Sequence, residues 1–203
     1  MGIRFVPAIL PAVLLSFGVS AADGEGKFAA KGAGRKSCEA FNQAYQAKNN
    51  EYYLYGGWIE GYVSAFNSFQ KETYDITPWQ TTELMMFFIS KHCEKQPETR
   101  ILTAVNTMLS SFAATRLTKE SDLVEVNLKN SKSYFYAETL LAVREALHGQ
   151  GYDVDVGETN FDEKLVKAIL SYQKSKGLTQ SGFPDQQTLV NLLLIPSHNT
   201  SAQ

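Results

Sequence analysis

Along residues 138–194, apolar side chains recur at intervals of three and four residues, the spacing of amphipathic helices. Glycines and a turn at residues 181–185 separate three such stretches, at positions where helices commonly end. The apolar positions that define the three predicted helices are Leu140, Val143, Leu147, Leu165, Ile169, Tyr172, Leu189, Leu192 and Leu193. The pattern therefore predicts a three-helix unit over residues 134–195, large enough for one small core.

A second helical block is predicted over residues 37–117. Its clearest stripe is Tyr55, Ile59, Tyr62, Phe66 and Phe69, spaced four, three, four and three residues apart. Further on, Thr77-Pro78-Trp79-Gln80 has the composition of a helix start, with a threonine cap and proline at the first helical position. With four helices and no strand pattern between them, the block is predicted to be a bundle. The fold class predicted for the whole chain is all-α.

The remaining segments have no helical periodicity. Residues 1–21 predict a secretory signal: Arg4 precedes an apolar run that is too short, and too rich in proline, for a typical span of about 20 residues. Residues 22–36 are predicted to form a flexible leader, and residues 196–203 a disordered tail. Residues 118–133 are predicted to be a linker, in which the alternation at 123–128 fits a strand or an extended segment. No later apolar run is long enough to span a membrane, so we expect a soluble protein after signal cleavage; the family resemblances given below imply a periplasmic location.

Cys38 and Cys93 are the only two cysteines in the sequence. An even pair in an exported protein predicts a disulfide. A metal or redox pair is the alternative, but His92 lies on a different helical face from Cys93 and no CxxC motif occurs. The formal net charge of −2 gives no basic surface, which argues against a nucleic-acid partner.

Catalytic and metal-binding patterns are missing from the sequence. The three histidines occur singly, and neither HExxH nor GxSxG is present. Glu60 is a lone acid on the aromatic helix. The acidic run over residues 153–163 departs from a calcium loop, with glycine at the fifth position and Lys164 at the twelfth. We therefore predict no enzyme activity, no cofactor and no metal, and interpret the acidic run as a solvated loop.

Within the C-terminal unit, several motifs resemble the peptidoglycan-binding domain of bacterial cell-wall hydrolases and envelope proteins. The motifs that carry this resemblance are Val143–Leu147, Gly151-Tyr152, Ala168–Gln173, Lys176–Leu178 and the stretch from Ser181-Gly182 to Leu192. The family repeats an aspartate-glycine turn in each half. The second turn survives here as Ser181-Gly182, whereas residues 157–162 lack the first. The resemblance implies peptidoglycan binding, and the candidate contact residues are Tyr152, Tyr172, Gln173, Phe183 and Asp185, each of which also has a structural role available.

Residues 37–112 resemble a family of small secreted helical proteins that includes HdeA-type periplasmic acid chaperones and Tai-type immunity proteins of type VI secretion. The resemblance rests on Cys38, the segment 58–65, the entry 76–78 and Cys93 with the following residues 95–98. In those relatives a cysteine pair ties the first helix to a later one.

Three glycines on the aromatic helix, at positions 56, 57 and 61, allow two interpretations. One is close helix packing. The other is a shallow groove, flanked by Trp58 and Tyr62, that receives an unidentified periplasmic protein.

Two functions from different classes follow. The first is a non-catalytic periplasmic protein that binds peptidoglycan through its C-terminal domain and a protein partner through its N-terminal domain. The second is a protein-interaction factor whose C-terminal domain keeps only the fold: an immunity-like inhibitor, a periplasmic chaperone or an assembly subunit of an envelope machine.

Overall fold

The structure is a computed structural model that describes residues 23–25, 27–129 and 131–195. The predicted signal peptide and the predicted tail lie outside these residues. The helices and strands, in chain order, are α1 (Cys38–Ala47), α2 (Asn50–Phe69), α3 (Thr82–Lys95), α4 (Ile101–Phe112), β1 (Leu123–Leu128), β2 (Ser131–Tyr136), α5 (Ala137–Gly149), α6 (Glu163–Ser175) and α7 (Gln186–Leu189). Single-turn 3-10 segments lie at Gly32–Arg35 and Ala113–Thr115, and a π-helical turn lies at Val190–Leu194. No helix in the described ranges is long and apolar enough to cross a membrane.

The first unit is the predicted four-helix bundle, formed by α1 to α4. Side-chain caps fix its helix starts: the Ser37 hydroxyl accepts from the Ala40 amide at α1, and the Asn49 side chain accepts from two amides at α2. The apolar faces of the four helices enclose one core. Cys38, at the start of α1, forms a disulfide with Cys93, near the end of α3, which confirms the predicted disulfide.

The start of α3 differs from the prediction. Thr81 caps this helix, which begins at Thr82, whereas Thr77-Pro78-Trp79-Gln80 is not helical. The Asp75 carboxylate accepts a hydrogen bond from the Thr77 amide and holds this segment in a turn. Trp79 then leaves the bundle and buries its ring in the other core. Tertiary packing therefore overrides a local helix-start signal.

The prediction of an all-α chain is wrong in one respect. Residues 123–128 and 131–136 form an antiparallel two-stranded hairpin, in a register that pairs Leu123 with Tyr136. The segment predicted as a linker thus contains β1 and the beginning of β2. Val126 and Phe135 point into the core of the second unit, so the hairpin packs with that unit.

The second unit consists of the hairpin, α5, α6, α7 and the π-helical turn, and it contacts the bundle directly. Trp79 comes from the connection between α2 and α3, yet only 8% of it is exposed and it packs in the second core. Leu194 packs against both cores. The rings of Tyr74 and Tyr136 also meet, with centroids 6.1 Å apart. The two units therefore share an apolar boundary.

Candidate functional site

The second unit contains two similar halves, each with a helix, a loop and a helix capped by aspartate. In the first half, Asp162 accepts a hydrogen bond from the Leu165 amide at 2.8 Å and caps α6. In the second half, Asp185 accepts from the Thr188 amide, also at 2.8 Å, and caps α7. An aspartate side chain satisfies an unpaired amide at the first helical turn, which explains both helix starts.

A buried glutamine holds the second loop in place. Gln173 of α6 is completely buried, and its Oε1 accepts from the Gly182 amide at 2.9 Å. Its Nε2 lies within hydrogen-bond distance of Ser181 Oγ at 3.2 Å, the Phe183 carbonyl at 3.0 Å and Thr188 Oγ1 at 2.9 Å. One amide side chain therefore satisfies the buried polar groups of the whole turn.

Gly182 is a position where this turn requires glycine. Its φ of +73° lies in the left-handed region, and an added Cβ would come within 3.0 Å of Val166 Cγ1 and 3.3 Å of Leu128 Cδ2. The turn therefore packs closely against α6 and against the hairpin. This conformation explains why glycine follows Ser181 in the sequence.

In the first half, a buried arginine holds the loop in place. Arg144 of α5 is completely buried, and its Nη2 donates to the Asn160 carbonyl at 2.9 Å and to the Asp162 carboxylate at 2.7 Å. Its Nη1 donates to the Asp155 carbonyl at 3.2 Å. The first loop lacks the family's aspartate-glycine pair, but the guanidinium closes it, as the Gln173 amide closes the second turn.

The electrostatics of this loop follow from the same contacts. Partial burial raises the pKa of Asp162, but hydrogen bonds from the Leu165 amide and Arg144 lower it more, so the pKa lies below its ordinary value. Lys164 Nζ lies 2.7 Å from Asp155 and 3.0 Å from Asp153, and these carboxylates raise its pKa. Two cations thus neutralise part of the acidic run. The described residues contain no cluster of three or more metal-ligating side chains.

The predicted contact residues fall into three groups. Tyr172 and Gln173 are buried, so in this structure they belong to the core and offer no surface to a ligand. Tyr152 is partly exposed; its hydroxyl lies 2.7 Å from Ser175 Oγ at the end of α6. Phe183 and Asp185 are partly exposed on the second turn.

Those exposed candidates sit at two places on the unit. The Tyr152 ring packs edge-on against Tyr172, with centroids 5.8 Å apart. The Phe183 ring lies 6.0 Å from that of Phe135 on the hairpin. Because Tyr172 and Gln173 are adjacent on α6, this helix supports both places, one through each side chain. The structure does not bring the five predicted residues into one pocket.

From the sequence, Trp79 is placed in a helix start and Asp162 in a solvated acidic loop, whereas Arg144 and Gln186 have no predicted role. A signal for Arg144 exists in the sequence: it lies four residues after Leu140 and three before Leu147, on the apolar stripe of α5. A charged side chain at a core position requires a partner, and the acidic residues that follow α5 supply one. No comparable local signal marks Trp79, whose packing partners are distant in sequence.

In the first unit, the two candidate partner-binding residues stack on each other. The Trp58 and Tyr62 rings lie 5.3 Å apart at an interplanar angle of 13°. The Tyr62 hydroxyl donates to Asn106 Oδ1 at 2.7 Å. Gly34 lies directly on the Trp58 ring, where an added Cβ would stand 2.3 Å from Cζ2. The predicted leader is therefore packed on α2 from residue 32 onward.

The α2 glycines differ in their surroundings. An added Cβ at Gly56 would lie 3.4 Å from Met86 and Thr82, so this glycine serves close packing with α3. At Gly57 and Gly61 an added Cβ would meet nothing within 4 Å. These two glycines line a mainly apolar groove of about 490 Å³. The other side chains that shape this groove include Phe28, Trp58, Tyr62 and Leu102.

Glu60 has a partner that the sequence did not reveal. It is exposed on α2, and the Thr82 hydroxyl at the start of α3 donates a hydrogen bond to its carboxylate. Its role in the described structure is a helix-to-helix contact.

The geometry of the second unit defines a small helical module with two anchored turns. Residues 137–192 match the family model of the peptidoglycan binding domain, which supports a peptidoglycan-binding domain in this part of the chain. The match begins at the first residue of α5 and leaves the hairpin outside. No curated protein and no solved structure gives a significant match. None of these comparisons supports the resemblance of residues 37–117 to the HdeA-type or Tai-type families.

Proposed function

We propose that this protein binds peptidoglycan through residues 137–192 and acts there by binding alone, without catalysis. The observation that carries the proposal is the family match over a unit whose two turns are both held by buried side chains. The disulfide and the peptidoglycan-binding domain fit a location in the bacterial envelope. We place the protein in the periplasm.

The contact surface in this proposal is the exposed part of the two turns. Peptidoglycan consists of sugars and short peptides, which are recognised by an aromatic surface together with a few fixed polar groups. Phe183 and Tyr152 supply exposed ring surface, and Asp185 supplies a carboxylate next to Phe183. Gln173 and Arg144 contribute indirectly, because they fix the loops that carry or flank these groups.

A sedimentation experiment with purified sacculi and the full mature chain tests the proposal. We expect the parent protein to sediment, and Phe183→Ala and Tyr152→Ala each to weaken binding by about tenfold, as truncation of a contact aromatic commonly does. Tyr53→Ala is the matched control, because Tyr53 is 68% exposed on the first unit. A parent protein that stays in the supernatant would rule out wall binding. Released muropeptides would instead identify an enzyme.

A second function, binding of a protein partner by the first unit, is favoured by the open glycines of α2. Glycine inside a helix costs about 1 kcal/mol relative to alanine. At Gly57 and Gly61 the isolated protein has room for a methyl group, so its own packing does not require glycine. A partner segment lying in the groove would require it, since Cβ atoms there would keep the two backbones apart.

Gly57→Ala and Gly61→Ala separate these requirements. Each substitution is expected to raise the free energy of unfolding by about 0.5–1 kcal/mol, measured by urea denaturation. Each should also reduce photocross-linking from position Ala65, in the groove, to a partner in intact cells. Cross-linking that survives both substitutions would show that the partner does not lie against the glycines. Partner capture without sacculus binding would favour the protein-interaction alternative for the whole chain.

A further inference from the structure

Gln186 joins the second turn to the first unit through two hydrogen bonds. Its Nε2 donates to the Trp79 carbonyl oxygen at 2.6 Å, and its Oε1 accepts from the Thr81 amide at 3.1 Å. A single amide side chain therefore satisfies two main-chain groups that are two residues apart. Gln186 is the first residue of α7 and directly follows Asp185. The outer end of the turn is thus fixed to residues 79–81.

Trp79 and Thr81, the two residues whose main-chain groups bond to Gln186, are themselves held in place. Trp79 is buried against α5 and the π-helical turn, where it borders a small cavity of about 100 Å³ with Thr139 and Leu194. The Thr81 hydroxyl accepts from the Leu84 amide and caps α3, the helix that carries the disulfide at its far end. A rigid support therefore stands behind the hydrogen bonds to Gln186.

Within the second unit, Gln173 bonds to Ser181, Gly182 and Phe183 of the turn and to Thr188 of α7. None of these bonds is to Asp185, where the turn continues directly into Gln186. The orientation of the exposed Asp185 and Phe183 thus depends on two separate anchors, one inside each unit.

We propose that Gln186 and Trp79 are positioning residues, through which the disulfide-tied bundle holds the turn at 181–185 in its peptidoglycan-binding geometry. Neither residue needs to touch the ligand. The consequence for wall binding rests on the function proposed above, whereas the positioning itself is a property of the unliganded protein. The bundle then contributes to peptidoglycan binding by supporting this turn.

The test uses the full mature chain with Gln186→Ala and, as a matched control, Gln187→Ala, which changes the exposed neighbouring residue. Hydrogen exchange is measured without peptidoglycan. In Gln186→Ala we expect amides of residues 181–188 to exchange about tenfold faster, with α1 and α2 unchanged. Unchanged exchange at 181–188 would overturn the proposal. Faster exchange throughout the chain would overturn it too, because the effect would then be one of global stability.

Sacculus sedimentation of the same variants supplies the functional readout. We expect about three- to tenfold weaker binding for Gln186→Ala at unchanged global stability, and parent-like binding for Gln187→Ala. Fast exchange at 181–188 with full wall binding would refute a positioning role in recognition. If the parent does not sediment but the exchange effect is present, wall binding fails while the positioning of the turn stands. The two failures are therefore distinguishable.

Discussion

Replacement of Arg144 by methionine is the most direct test of how the first loop is held. Methionine keeps an apolar stem of similar length on α5 but removes every donor. Four acceptors lose their partner: the Asp162 carboxylate, the carbonyl and the side-chain Oδ1 of Asn160, and the Asp155 carbonyl. Removing one member of a buried ion pair lowers the stability of the fold by more than the intact pair contributes to it, because the remaining charge stays buried and unpaired.

The expected decrease in the free energy of unfolding depends on how exposed these groups are. Hydrogen bonds to a charged group contribute about 1.5–3 kcal/mol each. The Asp162 side chain is one-third exposed, so water can solvate it after the substitution and the sum must be reduced. We expect a loss of about 3 kcal/mol, or about 6–12 °C in Tm for a chain of this size. Urea denaturation and thermal unfolding give both quantities.

Lys167→Met provides the control. Lys167 is an exposed lysine on α6 with an ion pair to Glu163 at 3.5 Å, and its loss should leave stability unchanged. A loss below about 1 kcal/mol for Arg144→Met would refute the reasoning, since stabilisation would then come from the apolar stem alone. A double-mutant cycle with Asp162→Asn, which keeps the cap acceptor, isolates the ionic part.

The pH dependence of this difference gives an independent check. The pKa of Asp162 is lower in the folded protein than its ordinary value of 3.8. A carboxyl group whose pKa is lower in the folded state stabilises the fold at any pH above its unfolded-state pKa. This stabilisation is lost as the pH falls through its folded-state pKa. The stability gap between the parent and Arg144→Met should therefore narrow below pH 3.8. A gap that stays constant from pH 7 to pH 3 would contradict the role of the ion pair.

Three further predictions concern other parts of the molecule. The double substitution of Cys38 and Cys93 by serine should cost up to about 4 kcal/mol by loop-closure entropy, measured by urea denaturation; a loss below 1 kcal/mol would contradict a structural role. Gly34→Ala should displace the leader, because its Cβ would overlap Trp58, and should shift tryptophan emission to the red; an unchanged spectrum would speak against this contact. Tyr172→Phe should be neutral or stabilising, since no described residue bonds the buried Tyr172 hydroxyl; a large loss of stability would reveal an unrecognised partner.

The helices and the disulfide were predictable from the sequence because their signals are local. Spacings of three and four residues locate the buried faces of α5 and α6, and two cysteines leave only one possible pairing. The hairpin was only partly predictable. The alternation at 123–128 fits a strand, but pairing with 131–136 depends on Val126 and Phe135 reaching a core formed by later helices. Local propensity contains no information about that core.

The candidate site shows a different limit. Tyr172 lies on the apolar stripe of α6, and helical spacing alone places it in the core. Gln173 is one residue further along the helix, where a family motif cannot distinguish a ligand contact from a buried anchor. In the structure Gln173 is buried and its hydrogen bonds hold the second turn, so its observed role is that of an anchor. Its position was predictable, whereas its role required the partners that the turn supplies.

The two units share apolar contacts, so they cannot be treated as independent domains in binding experiments. Periodicity separates residues 37–117 from 134–195, but it does not say whether the two blocks touch. In the structure, Trp79 belongs to the core of the second unit and Leu194 packs on both cores. Cutting the chain between the blocks would remove a buried indole from one core and an apolar neighbour from the other, and large core truncations of this kind cost about 3–5 kcal/mol. Weak wall binding by an isolated C-terminal fragment would therefore not count against recognition by the intact protein. Point substitutions in the full chain are the experiments that the architecture supports, because they leave both cores and the Gln186 contact in place.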